Sequence, residues 1–95
     1  MSDHLNELIT EARLAYQNAV VALQSADINE ALTLRPKVEE ARKLVEKLET
    51  RQLKAGVVVT AEDVTKMREL RENINSAATL QQTLTKLASI LVTFV

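Results

Sequence analysis

Thirteen acidic side chains, twelve basic ones, a single histidine and no cysteine are what this chain brings to chemistry. Without cysteine there is no disulfide, no thiolate ligand and no sulfur nucleophile. The acids include the neighbouring sets Glu39-Glu40, Glu62-Asp63 and Glu69/Glu72. Carboxylates do acid–base work when a cleft drives their pKa values apart, and positions on a helix surface supply no cleft. A di-metal helical bundle needs Glu-x-x-His on inward faces. His4 has no such Glu before it and no serine or cysteine constellation to serve as base. The expectation is a non-enzymatic protein with no catalytic residue, no metal, no cofactor and no small-molecule substrate.

The cations offer a second chemistry. Lys43, Lys47, Arg51 and Lys54 project onto one outer face of a helix, a footprint that suits phosphate or an acidic partner. Glu40 lies within that face and Glu39, Glu46 and Glu49 border it, with Glu39 and Lys43 spaced as a stabilising pair. Tyr16 and Phe94 are the only aromatic residues, so the cationic face has none for base stacking. The net charge of −1 gives no long-range pull toward nucleic acid or anionic lipid. A dimeric nucleic-acid-binding regulator using these four cations is therefore the alternative reading, and a solvated helix face the preferred one.

The elements that must position these residues are helical. One Gly and one Pro leave little material for tight turns, and Leu, Val, Ile and Ala must fill the core. A first helix is expected over about 3–24, capped by Ser2 or Asp3, with Leu5, Leu8, Ile9, Ala12, Ala15, Tyr16, Ala19, Val20 and Leu23 in its stripe. Asp27 and Glu30 have the spacing of a capping box and open a second helix over about 28–55. Pro36 sits inside it and predicts a kink, and Gly56 is the expected left-handed residue after its last turn. Val57-Val58-Val59 reads as an extended connector.

Thr60 to Asp63 then caps a third helix over about 61–94, a stretch with no Gly or Pro. Met67, Leu70, Ile74, Ala77, Gln81, Leu84, Ala88, Leu91 and Val95 make a heptad seam along it. Gln81 is a polar residue in that seam, of the kind that fixes register. The fold expected is all-α, one domain over 1–95: a three-helix antiparallel bundle with a long coiled-coil-like hairpin between the second and third helices. At 1.5 Å per residue the third helix would be roughly 50 Å long and would overshoot the turn near Ser25.

That overshoot is apolar on most sides. Leu87, Ile90, Leu91, Phe94 and Val95 are the expected partner-binding residues, each giving roughly 1.5–3 kcal/mol if fully buried by another molecule. The partner would be another protein or a second copy of the chain, and the role that of a small adaptor, assembly factor or chaperone-like subunit. Met1 to His4 shows neither the basic start nor the apolar run of a secretory leader, and no apolar stretch reaches the ~20 residues of a membrane span. A cytoplasmic location is expected.

Overall fold

The structure, a computed structural model describing residues 3–95, has four α-helices and among those residues no strand. They are α1 (His4–Leu23), α2 (Ile28–Glu49), α3 (Ala61–Asn73) and α4 (Leu80–Leu91), with a 3₁₀ turn at Ala77–Thr79. The single third helix of the sequence reading is thus two helices, and the three-helix bundle is a four-helix one.

Helix α1 starts where Asp3 accepts a hydrogen bond from the Asn6 amide; Ser2, the other candidate cap, lies outside the described residues. Its inner face is Leu8, Ala12, Ala15, Ala19 and Ala22, all buried. Small side chains let neighbouring axes come close, and α1 is packed on by all three other helices. Helix α2 opens with the expected capping box, Asp27 accepting from the Glu30 amide at 2.8 Å. It runs unbroken past Pro36.

The second helix stops at Glu49 rather than near Ala55. Its end is a Schellman motif: the Gln52 amide donates to the Lys47 carbonyl at 2.9 Å and the Arg51 amide to that of Leu48 at 3.0 Å. The left-handed residue there is Arg51 (φ 58°), where glycine was expected. Gly56 (φ 78°) serves instead in a turn of the α2–α3 link, closed by the Val57 amide on the Lys54 carbonyl at 3.2 Å.

Helix α3, capped by Thr60 and Asp63, lies along α1 and scarcely touches α2. The expected hairpin of second and third helices is therefore absent. Glu11 of α1, nearly buried, takes Arg68 at 3.2 Å and Arg71 of α3 as partners. Further along, Asn18 Nδ2 donates to the Arg71 carbonyl at 3.1 Å, so the two helices run the same way. Helix α4 returns beside α2, with Leu34 and Gln81 lining one hollow between them and Lys37, Leu84 and Val92 another. The order is up, down, up, down.

The reversal follows from phase. Val64, Met67, Leu70 and Ile74 are the buried large residues of α3; Leu80, Leu84, Leu87, Leu91 and Phe94 are those that follow. Leu80 follows Ile74 by six positions, which on a straight helix puts the second stripe about a third of a turn away from the first. A straight helix cannot bury both against one neighbour, and the chain turns at Ile74–Ser76. The apolar tip then does not overshoot. It comes back to the base, where the Lys54 amide donates to the Phe94 carbonyl at 2.8 Å and Lys54 Nζ to that of Val92 at 2.6 Å. Val57 and Val59 of the connector pack against the same core.

Two substitutions check these backbone assignments by urea unfolding. Pro36→Ala stabilises by about 1–3 kcal/mol, because an exposed interior proline becomes a helix-forming residue with its hydrogen bond restored. Gly56→Ala destabilises by about 1 kcal/mol from the left-handed backbone alone, since nothing lies within 4 Å of the added Cβ.

Candidate functional site

Where the chain turns back, the residues expected to meet a partner divide. Leu87 and Leu91 are fully buried and Phe94 is 5% exposed, all within the chain's own core. Ile90 and Val95 are half-buried at its margin. Gln81 is exposed and sets no register inside the bundle; it lines the hollow between α2 and α4.

The four cations do not share a helix face. Lys43 and Lys47 are exposed on α2, but Arg51 and Lys54 lie beyond its end. Arg51 donates to Asn6 Oδ1 of α1, and Lys54 closes the end of α4, where a cation suits the helix dipole. The charge pairing on the outer face of α2 centres on Arg42, which donates to Glu39 and, at 2.9 Å, to Glu46. Its hydrogen bond holds the Glu39 carboxyl below the usual carboxylate range, with Lys43 adding a weaker attraction.

Ile90 marks a surface that grows out of the expected site. A groove of about 360 Å³ lies between helices α3 and α4. Leu70 and Ile90 form its apolar part, and Lys66, Glu69, Lys86 and Ser89 stand along its sides. Thr83 also lines it, yet its hydroxyl is spent on the carbonyls of Thr79 and Leu80 and adds no free polar group. Lys66 is held by Glu62 at 3.4 Å, while among the described residues Lys86 has no ion-pair partner. A concave strip with apolar anchors and charged edges can take an amphipathic helix.

Several exposed apolar residues escaped the sequence reading. Val21 (65% exposed), Ile28 (82%) and Leu32 (65%) stand near the α1–α2 turn. The available signal was that they fit neither helix's inward stripe. Glu11 was also passed over, although it falls among Leu8, Ala12 and Ala15, where a lone carboxylate would be costly. Among the described residues no group of three His, Cys, Asp or Glu stands close enough to hold a metal ion, and no helix is long and apolar enough to cross a membrane. Comparison with protein-family models, with curated proteins and with solved structures returned no match.

Alanine substitution separates core from surface at the chain's closing turns. Leu91→Ala and Phe94→Ala each lower the unfolding free energy by about 2–5 kcal/mol, the cost of a cavity in a packed core. Ile90→Ala, one residue away, lowers it by about 1 kcal/mol because less area leaves a dry contact. Equal losses at all three positions would place Ile90 in the core.

Proposed function

We propose that the chain is a non-enzymatic helical protein-interaction module, of the adaptor, assembly-factor or chaperone-like kind, and that it receives its partner in the α3–α4 groove. The observation that carries the reading is the position of Ile90 and Leu70 between charged edges contributed by both helices. An amphipathic helix laid there covers the exposed part of Ile90 above an already buried Leu70, and contributes less than the roughly 1.5–3 kcal/mol of a side chain buried from full exposure. The edges carry both signs, Glu69 against Lys66 and Lys86, which orients an incoming helix more than it strengthens its binding. The expected set Leu87, Leu91 and Phe94 then acts from beneath, holding α4 in place, and Ile90 makes the contact. The reading assigns the protein to the cytoplasm, since a cysteine-free chain held by helix packing needs no oxidising compartment.

The test is affinity capture from the native host with three baits: wild type, Ile90→Asp and Val21→Asp. Circular dichroism first checks that all three remain folded. A partner held by wild type and Val21→Asp but lost by Ile90→Asp supports the groove. Retention of the same partner by Ile90→Asp sinks it.

A further inference from the structure

The turn between α3 and α4 is built unlike the other long connection, and the difference has a consequence. The α2–α3 link needs two left-handed residues, Arg51 and Gly56, and cannot straighten into helix without rebuilding both. No residue from Ile74 to Thr79 has a positive φ, and none is Gly or Pro. Each can therefore enter the right-handed helical region without steric objection. Nor is the turn clamped by caps. Neither Ser76 nor Thr79 makes a side-chain capping bond, and the side-chain hydrogen bond across the turn joins their hydroxyls at 3.3 Å. This differs from the starts of α1, α2 and α3, each held by a side-chain cap.

Helix α4, for its part, is attached mainly elsewhere. It packs on α2 far more than on α3, and its end is bonded to Lys54 of the link. Those contacts do not require that α4 belong to the same chain as α2. They are available equally from a second copy.

We infer that the α3–α4 turn is a hinge, and that straightening it into one continuous helix lets two copies of this chain exchange α4. In the exchanged dimer each α4 lies on the partner's α2 and beneath the partner's Lys54, so Leu84, Leu87, Leu91 and Phe94 stay buried in an equivalent core. What changes is the hinge itself: six residues leave a turn and 3₁₀ geometry for α-helix, and the loss of one chain's freedom is set against the added helical hydrogen bonds. The phase difference between the two apolar stripes aids the exchange. On a straight helix they point in directions about a third of a turn apart, so one stripe stays on its own α1 while the other faces away, toward a second molecule. The inference is independent of the groove reading, because it uses buried residues of α4 and not Ile90.

The experiment uses the full chain carrying Thr33→Cys and Gln81→Cys. Both positions are exposed and line the hollow between α2 and α4, and the chain has no other cysteine. Protein is refolded from urea at millimolar and at micromolar concentration, oxidised, and analysed by light scattering and non-reducing gel. Exchange predicts a dimer, enriched at the higher concentration, whose disulfide joins two chains. Dimers whose disulfides all lie within single chains overturn the inference and leave surface association, through the groove or elsewhere, as their cause. Monomer alone under both conditions also overturns it.

Two hinge variants set the direction. Asn75→Ala with Ser76→Ala favours helix at the turn in both chains and raises the dimerisation constant on the order of tenfold or more. Ala77→Pro does the opposite. Ser76 is already extended (φ −153°, ψ 154°), as a residue before proline prefers, and Ala77 is the first residue of its short helix, where proline is tolerated. That variant folds with the melting temperature of the monomer and forms no exchanged dimer; an unchanged yield of exchanged dimer from it would overturn the hinge.

Discussion

A straight helix can present one apolar stripe to one neighbour, and residues 61–95 carry two stripes that do not align. The interval from Ile74 to Leu80 is the constraint on which the architecture rests. With seven residues there the stripes would continue and a 35-residue helix could lie on one partner; with six they diverge by about a third of a turn. Turning the chain is the way to bury both stripes in one molecule. From that turn follow the fourth helix, the placement of α4 on α2 and the return of the C-terminal residues to the base of the bundle.

The other elements meet this demand from both ends. At the base, Lys54 donates twice to the last carbonyls of the chain, so the link that joins α2 to α3 also terminates α4. In the middle, the buried alanines of α1 make room for three neighbours, and Glu11 between Arg68 and Arg71 specifies which helix lies on that side. Removing a partner from such a buried carboxylate costs more than its net attraction supplies. The contact therefore contributes more to register than to stability. The core is built almost wholly from aliphatic residues, which pack in many nearly equivalent ways, and a single charged contact discriminates among them.

The starts of α1, α2 and α3 were legible because they are written in local chemistry. Asp3, the Asp27–Glu30 pair and the Thr60–Asp63 pair all cap as their residue types demand. Helix ends were not. Arg51 occupies a left-handed position that favours glycine, and Gly56, five residues on, drew the second helix too far. The α3–α4 turn has no Gly or Pro to announce it; Asn75 and Ser76, which compete with helix through their own side chains, were its only compositional trace. The phase of the large residues did announce it. A seam drawn through Ala77, Gln81 and Ala88 hid the jump, whereas Leu80, Leu87 and Phe94 alone would have exposed it. The candidate site shared that error, since Leu87, Leu91 and Phe94 look surplus only while the last helix is taken as straight.

With those three side chains inside, a partner cannot take them from a folded monomer. Each would have to leave a dry core, at a cost of several kcal/mol apiece, against an interface that could at best restore what was lost. Two economical routes to association remain. A partner can bind at the flank, where Ile90 is already partly exposed and nothing need unpack. Or α4 can move as a unit into an identical site, so that every buried side chain is buried again and only the hinge is remade. The first route preserves the monomer and varies with the chemistry of the partner. The second depends on chain concentration and on the helical preference of six residues. The same six-residue interval underlies both, because it opens the α3–α4 groove and also leaves the turn without a lock.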